Sequence, residues 1–140
     1  MVYVSCMRLN LAAIGLLLVA CHTVPSPGVD LRTLIPVPAN TVKTDGPDAI
    51  PDHGIHLHFL VNGSPLDVLA AYKAAIQAKS WSVIAESSSG KGGSGIATYT
   101  ASNGAAFGTF TGGGMGSWAD VDACAWPSKP ANANCGHGGG

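Results

Sequence analysis

Two stretches of the chain alternate apolar and polar residues, at positions 55–61 and 118–126. In the first, every second residue from Ile55 to Val61 is apolar, and in the second every other residue from Ala119 to Ala125 is apolar. Successive side chains of a strand point to opposite faces, so a period of two predicts a β-strand with one buried face. Both stretches are therefore predicted to be strands.

Between these strands, residues 64–79 have helical spacing. Ser64 suits the N-cap, Pro65 suits the first helical position, and Asp67 in the first turn favours the helix dipole. The apolar residues that recur every three or four positions are Leu66, Leu69, Tyr72 and Ile76. This segment predicts one amphipathic helix.

Three further strands are predicted, at residues 81–86, 96–101 and 105–111. The dipeptide Asn103-Gly104 suits a tight hairpin turn between the last two strands. The resulting order β-α-β-β-β-β predicts an α+β fold. In this fold one helix packs on a mostly antiparallel sheet of about four to five strands, with one disulfide.

Glycine- and serine-rich stretches separate the later strands, and we predict them to be loops. They lie at residues 87–95 and 112–116. Gly90–Gly95 matches the glycine spacing of a dinucleotide-binding loop, but strand-like sequence follows it where a helix is required. The match therefore indicates a loop between strands and no cofactor.

The first twenty residues have the pattern of an export signal. Arg8 is followed by an apolar run from Leu11 to Ala20. A membrane-spanning helix needs about 20 apolar residues, so this run is too short to span and favours a cleaved leader. Ordinary cleavage after Ala20 fits poorly, because Leu18 stands where the peptidase prefers a small residue.

Leu18-Val19-Ala20-Cys21 resembles the lipobox of bacterial prolipoproteins. The resemblance implies that the Cys21 thiol is lipidated with diacylglycerol and that the peptide is cut just before it. Two acyl chains anchor a protein stably, whereas one alone gives marginal binding. We therefore expect an exported protein on the outward-facing side of the cell membrane, with the membrane as its partner through the lipid.

Four cysteines are encoded, at positions 6, 21, 124 and 135. Cys6 is expected to leave with the leader and Cys21 to carry lipid, so one pair remains. A lone pair in an exported protein predicts a Cys124–Cys135 disulfide, because that compartment is oxidising. A zinc pair would need closer spacing and further ligands.

The segment from Cys124 to Cys135, after a glycine-rich hairpin region, resembles small lipoproteins of mycobacteria and other actinobacteria. The resemblance covers about residues 54–136 and implies no activity.

Proline placement suggests how the chain is organised. Prolines recur between residues 22 and 52 with no sustained period, which is typical of an extended tether. The predicted divisions are a leader at 1–20, the lipidated cysteine with its flexible tether at 21–53, the α+β domain at 54–136 and a glycine-rich tail at 137–140.

Charge excludes one class of partner. Charged residues make up 11% of the chain and the formal net charge is −1. The Lys and Arg residues that remain after the leader are scattered, whereas nucleic-acid binding requires a basic patch. We therefore expect no nucleic-acid partner.

Two histidines are candidate metal ligands. His56 and His58 are two positions apart on a predicted strand, so they share a face and could hold one zinc or copper ion. The same spacing is also produced by ordinary polar alternation on an exposed face, and no further ligand is adjacent in sequence.

A second candidate set lies on the last strand. Asp120 and Asp122 share a face with Trp118 and Trp126, which suggests a carboxylate pair beside an aromatic strip. The simpler interpretation is that the carboxylates are solvated and that both tryptophans pack around the disulfide loop.

These observations predict a lipid-anchored, non-enzymatic binding or scaffold module of the cell envelope, with an envelope protein or a glycan as its ligand. The alternative is a metal-binding lipoprotein that uses His56 and His58. A third hypothesis is a glycan-acting enzyme or carbohydrate binder that uses the Asp120/Asp122 and Trp118/Trp126 pairs.

Overall fold

Six strands between residues 41 and 126 pair into one antiparallel sheet in the computed structural model of the chain. The structure describes residues 30–135 with their side chains, and residues 2–5 and 22–25 as two short strands. In chain order the elements are β1 (Val2–Ser5), β2 (His22–Pro25), α1 (Leu31–Leu34), β3 (Thr41–Ile50), β4 (Gly54–Asn62), α2 (Pro65–Ala78), β5 (Ser82–Lys91), β6 (Ser94–Asn103), β7 (Ala106–Met115) and β8 (Trp118–Trp126).

Residues 1–30 form one compact unit and residues 31–140 another. In the first unit, β1 and β2 pair antiparallel, with Val2 opposite Pro25 and Ser5 opposite His22. The predicted apolar run to Ala20 and the predicted lipidation residue Cys21 lie outside the described residues. No helix in the described part of the chain is long and apolar enough to cross a membrane.

In the second unit the strand order is β3-β4-β8-β7-β6-β5. The last four strands, β5 to β8, form a meander, and β8 lies in the middle of the sheet, where it also pairs with β4. This places β4 and β8 side by side although α2 and three strands separate them in sequence. The two stretches with the clearest alternation of apolar and polar residues are therefore neighbouring strands.

The helices cover one side of the sheet, which we call the helix face. The alternation of β4 and β8 buries one set of side chains here, as predicted, and α2 packs across β6, β7 and β8. Each large apolar side chain removed from water contributes about 1.5–3 kcal/mol. The main residues of this core are Leu57, Phe59, Val61, Leu69, Tyr72, Ile76, Trp81, Tyr99, Phe110 and Val121.

Hydrogen bonds from aromatic side chains attach the segment around α1 to this core. The Tyr72 hydroxyl donates to the Pro36 carbonyl at 2.9 Å, and the Trp81 indole N–H donates to the Leu34 carbonyl at 2.7 Å. Leu31 and Ile35 are themselves buried in the helix-face core. The folded unit therefore includes residues well before Gly54.

α2 begins where the sequence predicts, with Pro65 in the first turn. Ser64 occupies the N-cap position, but its hydroxyl donates to the Asp67 carboxylate at 2.7 Å and caps no backbone N–H. The helix ends at Ala78, and Ser80 takes a positive φ of 69° as the chain turns into β5.

The predicted fold class is wrong. The structure is dominated by a six-stranded antiparallel sheet with two short helices, and it is not a one-helix α+β fold of four to five strands. Two predictions account for the difference. Residues 41–50, predicted to be part of a flexible tether, form the strand β3. The predicted loops at 87–95 and 112–116 form the ends of β5, β6 and β7.

The reason differs between the two cases. β3 is an edge strand with register shifts between Thr41 and Lys43 and between Asp45 and Asp48. Pro47 lies within the second shift, where a missing N–H costs no ladder hydrogen bond. The glycines of β7 pair with both neighbouring strands, and at Gly112 a leucine of α2 occupies the space that a side chain would need.

Candidate functional site

The side of the sheet opposite α2, which we call the open face, carries every candidate residue of β4 and β8. His56 and His58 project here from β4, and Asp120 and Asp122 project from β8. The two pairs were separate hypotheses in sequence, but the register brings them together, with His58 opposite Asp122. They form one site.

Each imidazole bonds a carboxylate on β8 that lies two residues away from its directly paired position. His56 Nε2 lies 2.7 Å from Asp122 Oδ1, and His58 Nε2 lies 2.9 Å from Asp120 Oδ1. Diagonal neighbours on one sheet face are close enough for long side chains to meet. The arrangement is therefore two parallel His–Asp pairs.

The environments of the two pairs differ. The side chains of His56 and Asp122 are largely buried, whereas Asp120 is half-exposed. Burial makes a hydrogen bond costly to lose, because an unpaired carboxylate there would be left without solvent. His56–Asp122 is thus a structural element of the open face, while Asp120 is accessible to a ligand.

β3 extends the exposed pair toward the sheet edge. Asp45 Oδ2 lies 3.4 Å from His58 Nδ1, and Lys43 Nζ lies 3.6 Å from Asp45 Oδ1. Lys43, Asp45, His58 and Asp120 form a chain of alternating basic and acidic side chains, which we call the polar chain. Lys43 and Asp45 are not candidates from sequence, because they fall in the predicted tether.

The two tryptophans of β8 have different surroundings. Trp126 is 2% exposed, its N–H donates to the Pro51 carbonyl at 3.0 Å, and its ring packs against Phe107 at 6.4 Å between centroids. Trp118 is 47% exposed at the other end of the strand. The predicted aromatic strip is therefore not a joint surface, because only Trp118 is available to bind.

The predicted disulfide is confirmed. Cys124 and Cys135 are bonded with their Cα atoms 5.5 Å apart. Both are buried in a second small core on the open face, together with Phe107 and Trp126. The simpler interpretation, that both tryptophans pack around the disulfide loop, is thus correct for Trp126 and wrong for Trp118.

Among residues 30–135, His56 and His58 do not belong to one group of potential metal ligands. His56 and His58 each face a different carboxylate, and the group of three or more His, Cys, Asp or Glu ligand atoms found there comprises His56, Cys124 and Cys135. These three atoms lie within 4.8 Å of one another. Sequence spacing could not reveal this group, because it depends on the pairing of β4 with β8.

Ionisation is shifted in two tyrosines of the helix face. Burial raises the pKa of Tyr72 well above its ordinary value. Burial, helped by the nearby Glu86 carboxylate, also raises the pKa of Tyr99, while Lys73 acts in the opposite direction. Both hydroxyls donate to backbone carbonyls, so these shifts belong to the core and not to a reactive site.

A pocket of about 450 Å³ lies between residues 37–40 and α2. Its lining includes Asp67 and Tyr72, but the Asp67 carboxylate already accepts the Ser64 hydroxyl and Tyr72 bonds Pro36. The Ser64, Asp67 and Tyr72 side chains of this pocket are thus engaged in the fold. The open face is the better candidate for a binding surface.

Comparison with protein-family models, with curated proteins and with solved structures finds no match to this chain.

Proposed function

We propose that this chain is an exported envelope lipoprotein, anchored at Cys21, that binds a cell-wall glycan on its open face without catalysing a reaction. The anchor rests on the resemblance of residues 18–21 to a lipobox. The buried Cys124–Cys135 disulfide supports export, because such bonds persist in oxidising compartments.

The observation that carries the binding proposal is the position of Trp118 beside the polar chain. Trp118 and Asp120 lie two residues apart on β8, so both project from the open face, and Asp120 bonds His58. An exposed indole offers an apolar surface with a polar edge. Sugars present apolar C–H faces together with hydroxyls that both donate and accept, which matches an indole flanked by alternating basic and acidic side chains.

A glycan fits this surface better than a protein partner does. The polar chain combines Lys43 and His58 with two carboxylates, so its charges are mixed and closely spaced. A protein hot spot is usually a desolvated aromatic cluster surrounded by apolar contacts. Here the large apolar side chains of the second core are buried and unavailable.

Sedimentation with insoluble cell-wall peptidoglycan tests the proposal. The detergent-solubilised chain should sediment with it, and Trp118→Ala or Asp120→Ala should weaken binding by about tenfold, roughly the 1–2 kcal/mol that one good contact contributes. Ile84→Ala is the matched control, because Ile84 is also exposed but lies on β5 at the far edge of the sheet.

Three results would contradict the proposal. One is a wild-type chain that stays in the supernatant at every peptidoglycan concentration. Another is equal binding by the Trp118→Ala and Ile84→Ala chains, which would place the contact elsewhere. The third is capture of a protein from a detergent-treated envelope by the Trp118 surface, without any binding to glycan, which would replace the glycan by a protein partner.

A further inference from the structure

The second core of the open face contains three potential metal ligands at one point. A ring nitrogen of His56 and the sulfurs of Cys124 and Cys135 lie within 4.8 Å of one another. We propose that these residues form a zinc site when the disulfide is reduced, so that the disulfide and the metal are alternative occupants of the same position.

The donor set suits zinc. Zinc is bound in proteins by cysteine thiolates and histidine nitrogens with tetrahedral geometry, and three protein ligands leave a fourth position for water. Two thiolates also neutralise the charge of the ion, which matters because both cysteines are buried. A calcium or magnesium ion would require oxygen ligands and is excluded by the sulfurs.

The residues around this group match the surroundings of a metal site. Asp122 bonds His56 Nε2 at 2.7 Å and fixes the orientation of the ring, so zinc would be bound by the other ring nitrogen, Nδ1, as in zinc sites where a carboxylate holds the second nitrogen of a histidine ligand. Asp122 is itself buried, and its Oδ1 atom is paired with His56 Nε2. The pair thus holds His56 in place whether or not metal is bound.

A buried hydroxyl at the same place has no partner in the disulfide form. Thr109 lies directly opposite Cys124 in the β7–β8 register, and its Oγ1 atom is buried without a hydrogen bond among residues 30–135. Buried polar atoms are rarely left unpaired. A pocket of about 260 Å³ is lined by Thr109 and Cys135, so a zinc-bound water there would give the Thr109 hydroxyl a partner.

Electrons and protons balance when the disulfide form is converted into the zinc-bound form. A dithiol reductant supplies two electrons and two protons, leaving Cys124 and Cys135 as thiols and becoming a disulfide itself. Zinc then displaces one proton from each thiol. The sulfurs must separate to about 3.8 Å, the distance set by zinc–sulfur bonds of about 2.3 Å in a tetrahedron.

The fold allows the two sulfurs to separate through movement of Cys135. Cys124 is fixed in β8, at the centre of the sheet, by pairing with β4 and β7. Cys135 lies in the segment 132–135, which has no regular secondary structure. The separation can therefore come from Cys135 while His56, Asp122 and Cys124 keep their positions.

Zinc titration of the reduced chain tests this site. The full chain, untagged and carrying Cys6→Ser and Cys21→Ser so that only the relevant thiols remain, is reduced with a phosphine without oxygen and titrated in competition with a chromophoric chelator. We expect one zinc per reduced chain and at least about 100-fold weaker binding by the oxidised chain, since the thiolates are its main ligands. Cobalt in place of zinc should give a thiolate charge-transfer band.

His56→Ala and His58→Ala are a matched pair, because both histidines lie on the same face of β4 and only His56 belongs to the group. His56→Ala should weaken zinc binding at least about tenfold, Asp122→Asn should weaken it about tenfold, and His58→Ala should leave it unchanged. Zinc should also raise the melting temperature of the reduced chain by several degrees.

Failure of the reduced chain to bind zinc overturns the proposal, whether that chain stays folded or not, because zinc is proposed to occupy this site whenever the disulfide is reduced. Equal zinc affinity in the His56→Ala and His58→Ala chains also overturns it, since the two thiols alone would then account for binding.

Discussion

At the scale of single residues, the open face shows side chains whose partners depend on strand pairing. The alternation in sequence places His56 and His58 on one face of a strand and Asp120 and Asp122 on one face of another. A shift of one residue between the strands would send one pair to the opposite face. The candidate residues were therefore predictable, but their meeting was not, because nothing local indicates that β4 lies beside β8.

Tyr72 gives a prediction at this scale. Its hydroxyl donates to the Pro36 carbonyl, and burial raises its pKa. The unfolded chain releases this proton near pH 10, whereas the folded chain retains it. The stability that Tyr72 contributes is thus complete below pH 10 and is lost progressively as the pH rises above that value.

Urea unfolding at several pH values measures this effect. Tyr72→Phe should cost about 1–2 kcal/mol at pH 7, because the Pro36 carbonyl loses its donor. Between pH 10 and 12 the free energy of unfolding should fall more steeply for the wild type than for Tyr72→Phe, by up to about 1.4 kcal/mol per pH unit. Equal slopes would show that Tyr72 ionises as readily in the folded chain as in the unfolded one.

At the scale of elements, the glycines of β7 explain why the fold class was misjudged. Residues 112–114 are consecutive glycines, a composition typical of flexible loops. In the structure they pair with β6 and β8. A Cβ atom on Gly112 would lie 2.5 Å from Leu69 Cδ2 of α2 and 2.8 Å from the Asp120 carbonyl oxygen. The absence of a side chain therefore serves close packing of a helix on a strand.

Gly112→Ala should consequently destabilise the protein by about 1–3 kcal/mol, the usual cost of overpacking, because backbone of β8 and a core leucine must both move. Gly93→Ala is the control, since the nearest atom to its Cβ would be at 3.6 Å. Thermal unfolding of the two variants measures the difference. A Gly112→Ala chain as stable as Gly93→Ala would mean that α2 does not pack closely on β7.

β3 shows the opposite problem. Pro47 and the prolines before and after β3 indicated a tether, yet the strand needs only its pairing with β4, because most of its side chains are exposed. An exposed edge strand has no buried alternation for a sequence to display. The hydrophobic pattern therefore revealed the central strands β4 and β8 and missed the edge strand β3.

At the scale of the whole molecule, the proposed leader and the sheet belong to different compact units. Residues 31–140 contain the sheet, both helices and the disulfide, while residues 1–30 form contacts of their own. Cleavage before Cys21 would remove β1 and leave the pairing partners of β3–β8 intact. The proposed processing is thus compatible with the fold of the second unit.

The anchor is the central claim, and the intact mass of the chain purified from the membrane fraction tests it most directly. The account predicts a chain that begins at Cys21, carries acyl mass on that residue and has the mass of an oxidised Cys124–Cys135 pair. Cys21→Ser should carry no acyl mass. Cys6→Ser should give a mature mass identical to that of the wild type, because residue 6 leaves with the leader. A wild-type mass that retains residues 1–20, or that shows Cys21 unmodified, would contradict the account.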